Sequence, residues 1–337
     1  MDCSRRTVFL VAVTVILFAG ILAGEWYTYG ADHGRSADAE WSAGSVSFTV
    51  TSPGSDEYRA VLTDAGTCTP VEKLYIYVDP DYGRYYGVSG ACISIDGAHY
   101  AEQIEKALKV RGFDAVETVG PEDLSRIIGE PSAGVGVLAL SYSLPSAVYS
   151  GNASDPLFAW IGSGGYLYWA ASEIGECYTD SDGLHRVENN QELFFGRSGV
   201  VNTETEYDDC YGGDVAPGGF TEALGLQNGN TMFGLNTEGL TGIQAGTVRD
   251  GFASVSIVKY GSGAIGVFGG DIGISGMDDI AQVVASGLTP CSTIVSVAHG
   301  KVVRGTESGV LVHSSANPVL YIYTGGMLTN FGERFHE

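Results

Sequence analysis

The side chains able to do chemistry gather behind four apolar runs. Asp79, Asp81, Tyr82 and Tyr85 follow KLYIYV, Ser141 and Tyr142 follow GVGVLAL, Ser172 and Glu173 follow YLYWA, and Asp271 follows AIGVFGG. Tyrosine rings stack on the apolar faces of sugars and peptides while carboxylates accept hydroxyl and amide protons, so this set suits a ligand rich in such groups. Ser172 is its nucleophile candidate. The alternative is a vestigial crevice lined by turn residues. The six histidines are scattered without HxH or HExxH spacing, and no cysteines form a CxxC pair, so a zinc centre is not indicated. Glu204, Glu206, Asp208, Asp209 and Asp214 crowd around Cys210, a density of carboxylates that suits calcium, with a solvated acidic loop as the default. TDSDG at 179–183 has the look of a calcium loop, but aligning Gly183 with the turn glycine puts Tyr178 at the first ligand position, so it reads as a polar turn.

The elements that must position these residues alternate between two periods. KLYIYVD (73–79) is a strand, and AHYAEQIEKALKVR (98–111) is a helix with Ile104, Ala107, Leu108 and Val110 as apolar contacts and Gly112 as its stop. A short strand follows at 114–119, and PEDLSRIIGE (121–130) is a helix with proline in its first turn and acids beside it. GVGVLAL (134–140) reads as a strand buried on both faces. Asp155 is placed to cap a helix that begins at Pro156 and runs into the strand 166–171. Residues 173–250 break the rhythm and read as an insertion. FASVSIVKY (252–260) and AIGVFGGD (264–271) then form a hairpin, followed by a helix at 277–285 with Ser275 as its N-cap. Gly261, Gly263 and Gly266 match a dinucleotide fingerprint in letters, but they join two strands and so mark a hairpin turn. The expected fold is α/β: a doubly wound, mostly parallel sheet with a late antiparallel hairpin. Ligands of such sheets bind beyond the carboxyl ends of the strands, where the residues named above would converge.

Both flanks look β-rich. SVSFTVTSP (45–53) and EYRAVLTDA (57–65) read as a hairpin, and the segment from 292 to 337 carries further short strands, so the ends are expected to share a small β-module.

Over residues 73–286 the chain resembles the class I glutamine amidotransferase-like fold. The carriers are DPDYG after the first strand, GVLALSYSLP, WIGSGGYLYW and KYGSGAIGVFGGDIG. Catalytic members place a cysteine in a tight Gly-x-Cys-x-Gly turn and supply histidine and glutamate later. Here that turn reads Ala170-Ala171-Ser172-Glu173-Ile174, no His-x-Glu pair follows the final hairpin, and Cys177 comes too late. The resemblance therefore implies architecture without glutaminase activity.

Lys plus Arg number 17 against 40 Asp plus Glu, a net charge of −23 that argues against nucleic acid as a partner. Thr7 to Gly24 is uncharged, follows Arg5 and Arg6, and would span about 27 Å as a helix. It reads as an uncleaved single-pass anchor, with residues 1–6 cytoplasmic, 7–24 in the membrane, 25–45 a linker, 46–66 the first hairpin, and the bulk of the chain extracytoplasmic. A cleaved secretory signal is the alternative, although each small-residue cut has a bulky Phe, Leu or Ile two positions upstream or leaves the apolar run unfinished. Of six cysteines, five lie beyond this run. From their placement on the sheet, Cys68 pairs with Cys291 at the amino end and Cys177 with Cys210 at the other, leaving Cys92, with a Cys92 bridge to either of the latter as the rival. Asn152-Ala153-Ser154 is a glycosylation sequon. The functional expectation is a non-catalytic envelope binding or structural component. The alternatives are a hydrolase acting on surface glycans or peptides, and an assembly protein joining envelope partners.

Overall fold

A computed structural model describes residues 36–42, 45–51, 57–63, 68–81, 84–86, 94–141, 143–170, 173–202, 220–224, 226, 234–269, 274–298, 302–306, 310–314 and 319–322. In chain order the central elements are β1 (Lys73–Tyr77), α1 (Gly97–Val110), β2 (Val116–Val119), α2 (Pro121–Ile128), β3 (Val135–Ala139), β4 (Ser143–Pro145), α3 (Pro156–Gly162), β5 (Tyr166–Ala170), β6 (Cys177–Asp180), β7 (Gly183–Arg186) and α4 (Asn190–Phe195). After these come β8 (Gly242–Gln244), β9 (Val255–Tyr260), β10 (Gly263–Phe268) and α5 (Ile274–Ala285).

Seven strands form one open sheet in the order β8-β9-β10-β5-β3-β1-β2. The pairs β2 with β1, β1 with β3, β3 with β5 and β5 with β10 are parallel, while β9 runs antiparallel to both β10 and β8. The fold is thus mixed α/β around a mostly parallel sheet. The hairpin β9–β10 is where the sequence placed it, with Gly261 and Ser262 at its turn. β8 adds an edge strand that came from the end of the segment read as an insertion.

Alternation along the strands sends successive side chains to opposite faces, and each face has its own helices. Leu74, Ile76, Leu138 and Tyr168 meet Ile104 and Leu108 of α1 and Ile280 and Val284 of α5. Tyr77, Val137, Trp169 and Ile265 meet Leu124 and Ile127 of α2 and Leu157, Trp160 and Ile161 of α3. All five side chains of β5 are buried, as a strand covered on both faces requires. Gly112 ends α1 at φ 77°, and the Phe113 amide reaches back to Leu108 O at 3.0 Å, a left-handed stop only glycine adopts without strain.

The flanks pair across the whole chain. Residues 57–63 lie between 292–298 and 310–314, the latter also pairing with 319–322, and residues 45–51 lie between 36–42 and 302–306. The segments 45–51 and 57–63 are therefore not partners in a hairpin, and the expected linker contains a strand at 36–42. Their alternating patterns specified strands but not partners: 45–51 takes the neighbouring 36–42 and the distant 302–306, while 57–63 takes distant partners on both sides.

Cys68 and Cys291 are joined by a disulfide, with Cα atoms 5.9 Å apart. Cys177 is a buried thiol, so the bridge expected to Cys210 is not found; Cys210 and Cys92 lie outside the described residues. Two helix starts also differ from expectation. α5 begins at Ile274, which puts Ser275 inside the helix. Asp155 does stand at the start of α3, yet its carboxylate turns back to the preceding loop instead of capping. The run from Thr7 to Gly24 lies outside the described residues, and among those described no helix is long and apolar enough to cross a membrane. The expectation of a single-pass membrane protein is corrected accordingly and is not carried forward.

Candidate functional site

Asp79, Asp81 and Ser141 are brought together where β1 and β3 end side by side. Asp79 is 4% exposed and Ser141 1%. The Asp79 amide donates to Ser141 Oγ at 2.5 Å, the Tyr77 hydroxyl donates to Asp79 Oδ2 at 3.2 Å, and the Asp81 amide donates to Asp79 Oδ1 at 2.9 Å. Burial, reinforced by the Asp79 charge, holds the Tyr77 phenol far above its ordinary range, so it remains a proton donor. Asp79 therefore ties two strand ends and a turn together with both carboxylate oxygens engaged. Asp81 is exposed at the rim.

Glu173 belongs to a second cluster, built on the turn after β5. Its Oε1 accepts from Asn190 Nδ2 at 3.0 Å and from Gln191 Nε2 at 2.8 Å. Asn190, 5% exposed, also donates to Ile174 O at 2.9 Å, and the Tyr149 hydroxyl donates to Gly175 O at 2.8 Å. The turn is thus pinned from both sides. Gln191 Oε1 in its turn accepts the Val200 and Val201 amides at 3.1 and 3.3 Å, which couples Glu173 to the backbone at 200–201. Gly175 has φ 65°, and a Cβ there would stand 2.2 Å from the Phe194 ring, so neither backbone nor packing admits another residue without rearrangement. Sequence reasoning missed Asn190 and Gln191; the available signal was an amide-rich start to α4 in a segment read as an insertion.

Glu176 is buried and pairs with Arg186 of β7 at 2.9 Å, closing the same turn against the β6–β7 hairpin. The tip of that hairpin is TDSDG: the Asp182 amide donates to Asp180 Oδ1 at 2.8 Å and His185 Nε2 lies 2.8 Å from the same oxygen, a polar turn with its carboxylate drawn below the usual range chiefly by the histidine. Among the described residues no group of three or more His, Cys, Asp or Glu is placed to hold a metal ion. The acidic cluster from Glu204 to Asp214 lies outside them, as do Tyr82, Tyr142, Ser172, Asp271 and the side chain of Tyr85. Asn152 is exposed in the loop before α3.

The described residues that follow the turn after β5 do not fit the amidotransferase resemblance. Ile174 is fully buried where a strained nucleophile elbow needs a small residue, Glu173 is held by two amides, and Cys177 lies buried within β6.

No protein family and no curated protein matches this sequence. Solved structures that align with it include a β-galactosidase from Rahnella sp. R3, at 16% identity over 63% of this chain and 30% of that one, with a TM-score of 0.37. The β-galactosidase of the Antarctic haloarchaeon Halorubrum lacusprofundi aligns at 11% identity over 79% and 41%, with a TM-score of 0.39. A GH42 β-galactosidase from G. stearothermophilus aligns at 12% identity over 77% and 41%, with a TM-score of 0.36. The chain spans less than half the length of each. All three are β-galactosidases and none is a glutamine amidotransferase, and the resemblance to the amidotransferase-like fold is corrected and goes no further. At these TM-scores the alignments assign no activity, and the fold rests on the strand order above.

Proposed function

We propose that this chain is a glycan-directed α/β protein that seats its ligand beyond the carboxyl ends of β1, β3 and β5. The reading treats the sheet as doubly wound, with helices on both faces, which supports a crevice at that edge. The observation that carries it is the Glu173–Asn190–Gln191 cluster. A half-buried carboxylate braced by two amides after β5, with the exposed Asp81 after β1, is the equipment by which sites orient hydroxyl-rich ligands. Binding is preferred to turnover because Asp79, the most buried of the described carboxylates among the crevice candidates, spends both oxygens on its own scaffold.

Hydrolysis of a glycan is the second reading, with Glu173 as the described carboxylate placed for it. Retaining and inverting glycosidases alike use two carboxyl groups across the scissile bond, so a second one within about 5–10 Å is required. The deciding experiment titrates the full chain with galacto- and manno-oligosaccharides by calorimetry and, in parallel, follows nitrophenol release from the corresponding nitrophenyl glycosides. Saturable binding that weakens in Glu173→Gln, without release, is the expected result. Release abolished by Glu173→Gln would move the assignment to a hydrolase, and neither binding nor release would remove the glycan reading.

A further inference from the structure

We propose that Asn152 is a site of N-linked glycosylation, carrying a sugar chain on the loop that leads from β4 into α3. The acceptor triplet Asn152-Ala153-Ser154 has an unblocked middle residue, which the transfer requires. All three residues are exposed, and Asn152 reaches only its own loop, its Nδ2 donating to Ser150 Oγ at 2.9 Å and to Ser150 O at 3.4 Å. Nothing in the core depends on that amide.

The loop is also built to present it. Asp155 occupies the position from which a carboxylate ordinarily caps a helix, and it does not cap. Its Oδ2 instead accepts the Ser150 amide at 2.6 Å and the Asn152 amide at 2.9 Å, while Oδ1 accepts the Ser150 hydroxyl at 2.9 Å. A carboxylate is thus spent on holding a tight turn with the triplet on its outer side. The Cys68–Cys291 bridge is the independent observation: it belongs to an oxidising compartment, where such transfer also takes place.

The reaction is a displacement at the anomeric carbon of an oligosaccharide linked to a polyprenyl phosphate or pyrophosphate. The Asn152 side-chain nitrogen forms the new C–N bond, the C–O bond to phosphate breaks, the phosphate leaves with the electron pair, and the amide gives up one proton. A cellular transferase supplies catalysis; this chain supplies the acceptor. Since the loop follows the carboxyl end of β3 by way of β4 and leads into the start of α3, the glycan would stand on the crevice side of the molecule. The inference does not depend on what the crevice binds.

The test is peptide mass spectrometry on full-length protein purified from the cells that naturally make it, digested without reduction so that the Cys68–Cys291 bridge reports the compartment. The Asn152 peptide is expected to be heavier by whole sugar residues, with the increment lost in Asn152→Gln and in Ser154→Ala but kept in Ser154→Thr. Ser154→Ala leaves Asn152 itself in place, so its effect separates acceptor recognition from misfolding. An unmodified Asn152 peptide as the sole species in bridged protein overturns the proposal, as does an increment that survives Ser154→Ala.

Discussion

Two buried polar networks in this molecule are made from similar groups and do different work. Between α1 and α5, Arg111 donates through Nε to Gln282 Oε1 at 3.0 Å, through Nη1 to Ala107 O at 2.9 Å, and through Nη2 to Asp278. Its partners stand on two regular helices that share one face of the sheet. At the carboxyl edge, Glu173, Asn190 and Gln191 join a turn, a short helix and the backbone amides of a strand. The first network locks packing that apolar contacts have already brought together; the second fixes the direction of one carboxylate. A charged group buried between helices contributes through stability, whereas one set at an edge contributes through geometry.

The sharpest test of that contrast is Arg111→Met, which keeps the side-chain stem and removes the guanidinium. A loss of about 3 kcal/mol is expected in urea unfolding, toward the low end for breaking a buried ion pair because Asp278 is partly exposed, with no change in ligand affinity. Gln282 Nε2 has no partner among the described residues, so adding Gln282→Leu should recover about 1 kcal/mol of that loss. A double variant less stable than Arg111→Met would show that Gln282 does more than face the arginine.

Gly175→Ala comes next, at about 2 kcal/mol, since it combines a positive φ with intrusion on Phe194. Here crevice binding should fall along with stability. Asn190→Ala is expected to cost about 1.5 kcal/mol in stability, and Gln191→Ala about 1, while each weakens ligand binding more than Arg111→Met does. Were Gln191→Ala to leave binding intact, the carboxyl-edge network would be structural and the contrast would dissolve.

The smallest effect concerns pH. Burial raises the phenols of Tyr77, Tyr149 and Tyr168, in each case as the leading cause. A raised folded pKa means the unfolded chain ionises first, so this stability is fully present below about pH 10 and drains away as the pH climbs toward the folded values. Ultraviolet titration should show three phenols that ionise late or only on unfolding, and Tyr77→Phe should flatten the alkaline decline in melting temperature. Three phenols titrating normally would mean that the β1 end is open to water and Asp79 more available than its geometry indicates.

Much of the fold was legible because its signals are local. The apolar run at 134–140, Pro121 in the first turn of α2, Gly112 after α1 and the Gly261-Ser262 turn each act within a few residues, and each element lies where those signals put it, within a few positions. The candidate site was legible only as a set of loops. The sequence could name Asp79 and Glu173 as carboxylates after strands, but not that the first is consumed by Tyr77 and Asp81 or that the second is braced by a helix from the supposed insertion.

What the sequence determined by itself is the alternation of strands and helices, the mostly parallel character that such alternation demands, and the turn chemistry at Gly112 and Gly261. Periodicity and backbone preference are properties of short windows, and no distant residue has to be known to read them. Tertiary structure alone decided the strand order, the pairing of 45–51 with 302–306 in place of 57–63, the reach of Arg111 to Gln282 across 171 residues, and the turning of Asp155 away from its helix. Each is a choice among partners of similar local merit. That choice is made by which surfaces can be buried together, a quantity that exists only once the chain has closed on itself.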